Sequence, residues 1–388
     1  MKIAIDSRAV NHNPTGIGYY IKNLVKWLYT IDSVNQYFCY LDPRYKSGLN
    51  SFPPRGVIRL DAEVGPPSSL TNRISRILWE RFYLPIQLKK DTIDLYHGAS
   101  GRLPLLKLNT SFVVTIYDLI PYRIPWNYPN VLRFKFTLLE SIQRVNKIIA
   151  ISEHAKMDLV NTFHIPGEKI HVVYGGLEDR FGIMDSDLCK KYLKNTYGIS
   201  REFILFVGSL EPKKNISRLI EAFSHIQKQF GRKYFLVLIG SRDLRYEEIL
   251  KNIRETEMEE EVVLTGYVKD EDLPYFYNAA SLFVFPSLYE GFGLPLLEAM
   301  ACGLPIVASN RSSIPEVVDN AGVLFDPYNV QEMADTMEKV LSDENLRDDL
   351  RQKGLNRVKL FTWEKAARET LTVYEKAYRM THPNLKEA

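Results

Sequence analysis

The chain has 388 residues, of which 45% are apolar and 25% are charged, and its formal net charge is +3. This length corresponds to two or three domains with ample material for hydrophobic cores, and the composition excludes a disordered, collagenous or coiled-coil protein. The three cysteines, Cys39, Cys189 and Cys302, lie far apart in the sequence. Their spacing excludes a disulfide framework and a zinc ribbon, and it is typical of a reducing compartment.

The sequence contains no stretch that is typical of membrane insertion. The amino-terminal residues reach Asp6 before a signal-peptide core forms. The longest uncharged stretch, 273–289, includes two prolines, three tyrosines and an asparagine, which do not suit a spanning helix. We therefore expect a cytoplasmic protein.

The small net charge hides an asymmetry between the two halves of the chain. Residues 1–180 contain 23 Lys/Arg and 15 Asp/Glu, a balance of +8, whereas residues 181–388 contain 27 and 32, a balance of −5. Opposite signs suggest two domains with different partners, although chance variation of surface charge is an equally good explanation at this point.

Predicted strands and helices alternate along the first half. Several strand candidates are continuously apolar, as in parallel strands covered on both faces. Apolar residues at helical spacing predict helices around 21–28 and 74–82, and Ser152 is a predicted N-cap. The predicted strands are 2–6, 37–41, 57–60, 93–96, 111–116 and 147–151.

The alternation stops near residues 175–200 and then starts again. Helices are predicted from the cap residue Asn215 to about 230, up to 259, and over 270–279 and 294–302, followed by a purely helical tail over 329–378. The predicted strands are 203–208, 234–239, 262–265, 282–285 and 305–308.

Two such series predict an α/β chain with two doubly wound parallel-sheet domains. Ligands of open α/β sheets bind beyond the carboxyl ends of the strands, so we expect the site on loops that follow strands, in a cleft between the domains.

The first motif, Pro14-Thr15-Gly16-Ile17-Gly18-Tyr19-Tyr20, lies between the first strand and the first helix. Glycines there allow backbone N–H groups to approach a phosphate. The segment does not match the dinucleotide-binding fingerprint G-x-G-x-x-G, because the third glycine is missing. A phosphate cradle and a plain loop are equally compatible with this segment.

The second motif, Gly208-Ser209-Leu210-Glu211-Pro212-Lys213-Lys214-Asn215, also joins a strand to a helix. Two lysines at the positive end of a helix dipole are locally unfavourable, and a bound anion would remove that penalty. The sequence therefore favours anion binding over two solvated lysines.

The third motif is Tyr289-Glu290-Gly291-Phe292-Gly293-Leu294-Pro295-Leu296-Leu297-Glu298. Its glycines expose amides at a helix start, and its glutamates suit the hydroxyls of a polyhydroxylated ligand. Both glutamates also favour the helix dipole, so a capping role is the alternative. Paired carboxylates occur in glycosidases, but glycosidases need neither the lysines nor the glycine turns.

Together these motifs resemble the family 4 glycosyltransferases, which are retaining, nucleotide-sugar-dependent enzymes of the GT-B fold. The resemblance extends over most of the chain, through IAIDSRAV, Leu78-Trp79-Glu80, Asp94-Leu95-Tyr96-His97, Thr115-Ile116-Tyr117-Asp118 and Ile151-Ser152-Glu153. It is greatest to bacterial enzymes that build O-antigen, lipopolysaccharide or capsule, many of which transfer mannose from GDP-mannose.

The resemblance implies three segments. Residues 1–178 would form an acceptor-binding Rossmann-like domain, and residues 179–365 a nucleotide-sugar-binding one. Residues 366–388 would form a helix that packs back on the first domain.

The resemblance also implies a role for each matching residue. Lys214 would bind the donor diphosphate, Glu298 the ribose hydroxyls, and Glu290 the transferred sugar. Donor contacts are further implied for the two glycine turns, namely for Gly16, Gly18, Gly291, Phe292, Gly293 and Leu294. Retention in this family is explained by front-face attack, in which a donor phosphate oxygen takes the acceptor's proton, so no protein nucleophile is required.

The chain departs from the family pattern at two positions. Ser209 stands where many relatives have arginine, and Lys213 or Arg242 is a candidate to compensate. Tyr117 stands where relatives often have histidine. Asp118 is then a candidate for acceptor positioning or proton transfer, and His97 is an alternative that is more often structural.

The spacing Asp185-Ser186-Asp187 resembles a metal-binding D-x-D motif, but it precedes a helix, where aspartates serve as caps. We expect no metal and no cofactor beyond the nucleotide-sugar substrate, and no nucleic acid.

Two basic sets, Arg73 to Lys90 and Arg133 to Lys147, suit either an anionic membrane surface or ordinary solvated helix faces.

We therefore expect a glycosyltransferase that moves mannose from GDP-mannose onto a lipid-linked or saccharide acceptor. The alternatives are a UDP-sugar donor (glucose, N-acetylglucosamine or galactose), a nucleotide-sugar epimerase, and a non-catalytic subunit of a polysaccharide assembly complex.

Overall fold

A computed structural model of the chain describes residues 1–10, 16–41, 57–60, 82–104, 109–125, 131–241 and 246–383. The chain divides into two compact units, Met1–Gly175 with Trp363–Ala388, and Gly176–Thr362. Both divisions fall within three residues of the boundaries proposed from the sequence, 178 and 365. The motif residues Pro14, Thr15, Arg73, Arg76, Arg81 and Arg242, and most of the helix predicted around 74–82, lie outside the described residues.

The first unit is built on a parallel sheet. Seven strands with described residues run in the order β3-β2-β1-β4-β5-β6-β7, and every neighbouring pair is parallel. The strand bounds are β1 Lys2–Asp6, β2 Gln36–Leu41, β3 Val57–Leu60, β4 Leu95–Gly98, β5 Ser111–Ile116, β6 Lys147–Ala150 and β7 Ile170–Val172.

Helices cover this sheet, because their apolar faces are buried against it. Ile21, Leu24, Val25 and Leu28, the residues that predicted the first helix, are all buried. The long carboxy-terminal helix packs against β5, β6 and the first helix, so the end of the chain belongs to the first unit. The helices are Gly16–Ile31, Leu84–Lys90, Ile120–Arg123, Val131–Arg144, Glu153–Phe163 and Trp363–Thr381.

The second unit repeats this plan with six parallel strands, in the order β10-β9-β8-β11-β12-β13. These are β8 Phe203–Val207, β9 Phe235–Ile239, β10 Val262–Gly266, β11 Leu282–Phe285, β12 Ile306–Ser309 and β13 Val323–Phe325. Its helices are Ser186–Tyr197, Ile216–Phe230, Tyr246–Glu255, Leu273–Ala279, Leu294–Ala301, Ile314–Val318, Val330–Ser342 and Glu344–Arg357.

The order of the strands fixes where a ligand is expected. In each sheet the chain begins in the middle, proceeds to one edge, and returns to fill the other side. The direction changes between β1 and β4 in the first unit and between β8 and β11 in the second. Loops that leave the carboxyl ends of two such strands diverge and leave a crevice, which is where open α/β sheets bind ligands.

The structure confirms the predicted α/β class and the two parallel sheets. Two strands were not predicted, β7 and β13, because each has three residues and lies at a sheet edge, where the apolar run is too short to be recognised. Across the described ranges, no helix is both long enough and apolar enough to span a bilayer.

Two predicted caps have different outcomes. Ser152 is an N-cap, since its side chain accepts a hydrogen bond of 3.0 Å from the amide of Ala155. Asn215 stands at the start of its helix, but its side chain does not cap it. The residue adopts a left-handed conformation and its Nδ2 donates to the carbonyl of Pro327 over 2.7 Å, so the side chain ties two loops together instead.

Candidate active site

In the second unit, the loops that follow β8 and β11 lie side by side at the switch in strand order. The amide of Leu288, after β11, donates to the carbonyl of Lys213, after β8, over 2.8 Å. Gly240, after β9, packs tightly against the loop that follows β8, since a Cβ there would lie 1.8 Å from the Gly208 carbonyl oxygen. The two sequence motifs thus belong to one packed surface at the carboxyl edge of the sheet.

A buried ion pair stands at the centre of this surface. Lys214 Nζ lies 2.5 Å from Glu290 Oε1, and each residue is only 8% exposed. Burial opposes ionisation of Glu290, but the charges of Lys214 and Lys213 outweigh it and hold the pKa of the carboxyl below its usual value. The Lys214 ammonium also lies 5.3 Å from the centre of the Phe285 ring.

This pair corrects the electrostatic reasoning drawn from the sequence. The two lysines do not stand as uncompensated charges awaiting an anion. Lys214 is paired with Glu290, and Lys213 Nζ lies 3.6 Å from Glu211 Oε2. Ser209 joins the same group, because its hydroxyl donates to Glu211 Oε1 over 2.8 Å. The protein supplies its own counterions here, so a bound anion would share the lysines with carboxylates.

The glycine turn after β11 is hydrogen-bonded to two serines that the sequence motifs did not indicate. The amide of Glu290 donates to Ser312 Oγ over 2.9 Å. The Ser313 hydroxyl, which is fully buried, lies 3.1 Å from the Glu290 carbonyl oxygen and 3.0 Å from that of Phe292. Both serines follow β12 in a polar run, Ser309 to Ser313, and only the adjacency of β11 and β12 brings that run beneath the turn.

The same turn opens the helix Leu294–Ala301. Gly293 precedes it with φ +114°, a conformation that L side chains rarely adopt, and a Cβ there would lie 2.9 Å from Leu296 Cδ1. Gly291 and Phe292 are buried within the turn. The initial amides of this helix have no intrahelical acceptor, so the region around Leu294 is suited to an anionic or hydroxylated ligand.

Glu298 lies one turn into that helix and accepts a hydrogen bond of 2.6 Å from the Tyr277 hydroxyl. Burial raises the pKa of this carboxyl to about 7. Both motif glutamates thus lie on one short segment, but their pKa values are shifted in opposite directions, down for Glu290 and up for Glu298. Glu290 has a cation beside it, whereas the hydrogen-bond partner of the Glu298 carboxyl among the described residues is the Tyr277 phenol.

In the first unit, the predicted residues lie within β4, directly after β5 and at the start of the first helix. Gly16 is exposed at the helix start and Gly18 is buried in the first turn. The Tyr117 hydroxyl donates to the Ala99 carbonyl over 2.7 Å. Asp118 accepts from the amide of Ile120 over 3.0 Å, and it lies two residues before the short helix Ile120–Arg123.

His97 has the surroundings of a structural histidine. It is fully buried, with Nδ1 2.7 Å from the Tyr374 hydroxyl and Nε2 2.7 Å from Thr115 Oγ1. Burial lowers the pKa of the imidazole to about 3. Both ring nitrogens are thus occupied by neighbouring hydroxyls, and the ring links β4 to the carboxy-terminal helix.

A polar group at the end of β1 was missed in the sequence. Asp6 is fully buried and binds Arg8 through two hydrogen bonds, Nε to Oδ1 over 2.8 Å and Nη2 to Oδ2 over 2.9 Å. Ser100, after β4, donates to the same carboxylate. This group spans the switch in strand order of the first sheet, and only the pairing of β1 with β4 shows it.

Two protein-family models match this chain, one in each half. A model described as "Glycosyl transferases group 1" matches residues 194–357, and a model described as "Glycosyltransferase Family 4" matches residues 15–181. The chain belongs to glycosyltransferase family 4. Each family model covers most of one structural unit, so both units carry a glycosyltransferase match.

Two bacterial relatives are similar over most of this glycosyltransferase. The chain is 29% identical to O-antigen chain mannosyltransferase B of Escherichia coli over 387 residues, which is 97% of this chain and all of that protein. It is 34% identical to the serotype-specific mannosyltransferase WbdA of Escherichia coli over 287 residues, which is 71% of this chain but 35% of that longer protein.

Solved structures share the fold. Sucrose-phosphate synthase from Thermosynechococcus elongatus superposes with a TM-score of 0.79 at 20% identity, covering 98% of this chain and all of that one. Anabaena HepE in complex with UDP-glucose superposes with a TM-score of 0.76 at 17% identity, and the match covers 97% of this chain and all of that one. At these identities the likeness shows the GT-B architecture.

Proposed function

We propose that this glycosyltransferase moves a mannosyl residue from GDP-mannose, with retention, onto a saccharide or lipid-linked acceptor of a surface polysaccharide such as O-antigen or capsule. The observation that carries the transfer chemistry is the buried Lys214–Glu290 pair between two glycine turns at the carboxyl edge of the second sheet. The choice of mannose rests on the full-length similarity to O-antigen chain mannosyltransferase B.

The proposed step replaces one glycosidic bond with another. The bond from the sugar C1 to the diphosphate oxygen breaks, and a bond from C1 to the acceptor hydroxyl oxygen forms on the same face. The acceptor's proton passes to a phosphate oxygen of the departing GDP. Because negative charge grows on the diphosphate as it leaves, a fixed cation beside it lowers the barrier.

Lys214 can supply that cation without leaving Glu290. An ammonium group has three N–H donors, and Glu290 Oε1 takes one of them. Two remain for phosphate oxygens, while the contact with the carboxylate fixes the orientation of the ammonium group. We place the remaining donor contacts at the amides of Phe292, Gly293 and Leu294, with Glu298 towards the ribose hydroxyls.

On the acceptor side, the carboxylate of Asp118 is the group we propose for positioning the acceptor hydroxyl, with Tyr117 beside it. His97 is left out of this proposal, since both of its ring nitrogens are engaged by hydroxyls. Gly16 and Gly18 keep the donor-side role that the family resemblance implies. No metal enters the proposed step, so activity should persist in excess EDTA.

A UDP-sugar donor is the second candidate. The observation that favours it is the similarity of fold to HepE, which was solved with UDP-glucose. The two candidates differ in the base and in the sugar, whereas the diphosphate chemistry is the same.

A donor screen separates them. The protein is incubated with GDP-mannose, UDP-glucose, UDP-N-acetylglucosamine or UDP-galactose, and slow hydrolysis and the shift in melting temperature are measured for each. We expect GDP-mannose and GDP to give the largest effects. Stabilisation by UDP-sugars alone would overturn the donor assignment, and an absence of effect with every nucleotide-sugar would overturn the function.

We also propose that the cytoplasmic enzyme contacts an anionic membrane surface through a lysine patch on its first unit, formed by Lys147, Lys156, Lys169 and Lys376. Along with burial, the charges of Lys376, Lys147 and Lys156 lower the pKa of His171 to about 4, so these three lysines lie near that ring. Burial and the charge of Lys147 lower the pKa of Lys169, which places Lys169 near Lys147. None of the four forms an ion pair with a carboxylate among the described residues. Anionic lipids would supply the missing counterions.

A further inference from the structure

A cavity of about 370 Å³ lies at the opposite edge of the second sheet from the proposed donor site. Its wall includes Glu202, Tyr234, Ser281 and Pro305, which directly precede or lie just before β8, β9, β11 and β12. The proposed donor residues follow strands, whereas these precede them. The cavity is therefore distinct from the donor site, and its volume is in the range that holds a small molecule.

Four cationic side chains line this cavity, against two carboxylates. Lys190 and Lys233 come from one side, and Arg347 and Arg351 from the helix Glu344–Arg357. The carboxylates are Glu202, which lies 3.2 Å from Lys233 Nζ, and Asp348. The lining thus carries an excess of positive charge that the protein's own carboxylates do not balance.

Neither arginine is paired with a carboxylate within the part of the chain that the structure describes, and they differ in what surrounds them. Arg347 Nη1 donates to the carbonyls of Val340 and Leu341, over 3.1 and 2.5 Å. Arg351 lies over Gly303, where an added Cβ would stand 3.0 Å from its Nε. Gly303 has φ +66° and no side chain, so the backbone leaves room for the guanidinium.

Arg351 and Lys190 have no hydrogen bond or ion pair within the part of the chain that the structure describes. This contrasts with the proposed donor site, where each lysine is paired with a glutamate. Arginines four residues apart lie on the same side of a helix, and their planar donors match the oxygens of a phosphate.

We propose that this cavity binds a phosphate group, carried by a small polar molecule, between Arg347 and Arg351. The volume exceeds what a single phosphate fills, and the hydroxyls of Ser186 and Ser281 line the remaining space. The cavity lies at the other edge of the sheet from the proposed donor site, and Tyr277 connects the two, since it lines the cavity and its hydroxyl donates to Glu298.

Calorimetric titration of the full chain tests this proposal with inorganic phosphate, glucose 6-phosphate and glucose as probes. We expect both phosphate compounds to bind and glucose not to bind. Tighter binding of glucose 6-phosphate would identify a carried phosphate, and binding of inorganic phosphate alone would identify the free ion as the ligand.

The deciding comparison is between two variants of the same helix. Arg351→Ala should weaken phosphate binding about tenfold or more, as expected for the loss of a charge-assisted contact. Lys353→Ala, which removes an exposed lysine paired with Asp349 outside the cavity, should bind like the wild type. Melting temperatures of both variants verify that they are folded.

Gly303→Ala offers a second approach that leaves both arginines in the chain. The added methyl group would stand 3.0 Å from Arg351 Nε and 3.2 Å from its Cγ, so the side chain must shift and binding should again weaken. Unchanged phosphate affinity in Arg351→Ala would overturn the proposal. So would loss of phosphate binding in Lys214→Ala with retention in Arg351→Ala, because the anion would then occupy the other edge of the sheet.

Discussion

At the scale of single residues, the candidate site depends on which charges have partners. Lys214 and Glu290 are almost inaccessible to water, and the Lys214 ammonium group stabilises the ionised form of Glu290. Breaking a buried pair by removing one partner is strongly destabilising, because the other charge stays buried alone. The pair is thus both a structural element of the β8 and β11 loops and the proposed source of positive charge for the leaving diphosphate.

Replacement of the lysine tests this role. Lys214→Ala should lower kcat about 10²- to 10³-fold, the magnitude seen when one stabilising group of a transition state is removed. The variant should also melt at a lower temperature, since Glu290 loses its partner. Lys228→Ala, an exposed lysine on the helix Ile216–Phe230, is the control and should retain full turnover. A folded Lys214→Ala protein with normal kcat would contradict the assignment.

Glu298 should make donor binding depend on pH near neutrality. Burial raises the pKa of its carboxyl to about 7, so the group is mostly protonated at pH 6 and mostly ionised at pH 8. An ionised carboxylate is the better acceptor for ribose hydroxyls. The KM for the donor should therefore rise as the pH falls through 7, and this dependence should disappear in Glu298→Gln.

The raised pKa of Glu298 also predicts how this carboxyl affects the free energy of unfolding as the pH changes. Its folded pKa lies above the unfolded value, so between about pH 4.5 and 7 the folded state binds more protons than the unfolded state. Its contribution to the free energy of unfolding therefore decreases as the pH rises through this window. Glu298→Gln should gain stability relative to the wild type over the same range in denaturant titrations. A constant difference would show that the carboxyl titrates normally.

At the scale of elements, the short helix Leu294–Ala301 owes its position to a loop of another strand. Ser313, after β12, holds the carbonyls of Glu290 and Phe292, and so sets the direction in which the amides of the glycine turn face. The turn has few side chains with which to fix itself. Its geometry is imposed by the neighbouring strand and by the positive φ that Gly293 permits.

Ser313→Ala should affect donor binding more than folding. Without the hydroxyl, two buried carbonyls lose a donor and the glycine turn loosens, so the KM for the donor should rise severalfold with a smaller change in kcat. Ser313→Thr keeps the hydroxyl and should restore part of the affinity. If KM were unchanged while the melting temperature fell, Ser313 would be a structural residue without influence on the site.

At the scale of the whole molecule, the division into units increases the charge asymmetry that the halves of the sequence show. The first unit contains 27 Lys/Arg and 17 Asp/Glu, a balance of +10, and the second contains 23 and 30, a balance of −7. The carboxy-terminal helix adds to the basic unit and carries Lys376 into the lysine patch. A positive balance on one unit suits contact with a negatively charged surface.

Vesicle co-sedimentation tests the membrane contact. The triple variant Lys147→Gln/Lys156→Gln/Lys376→Gln should lose about 100-fold in affinity for vesicles rich in phosphatidylserine at low salt, since each lysine near such a surface contributes about 1 kcal/mol. A matched triple variant of exposed second-unit lysines, Lys228, Lys251 and Lys353, should bind normally. Equal loss in both variants, or equal binding to neutral vesicles, would refute a contact through this patch.

Much of the fold could be predicted because apolar runs and their spacing are local properties of the chain. The bounds of β1, β5 and β11 agree with the predicted ones, as do the buried faces of the first helix. The strands β7 and β13 could not be predicted, because three residues carry too little pattern. The role of Asn215 could not be predicted for a different reason, because its hydrogen-bond partner lies 112 residues away in the sequence.

The sequence by itself determined the α/β class, the two parallel sheets and the glycine and lysine motifs of family 4, because periodicity and short motifs are encoded by neighbours along the chain. Only the tertiary structure decided which charges are neutralised. Lys214 lies 76 residues from Glu290, and Ser313 lies 23 residues from the Glu290 carbonyl that it holds. Such pairs form because parallel strands bring the loops at their carboxyl ends together. A contact between residues so far apart in the chain leaves no pattern in the local sequence.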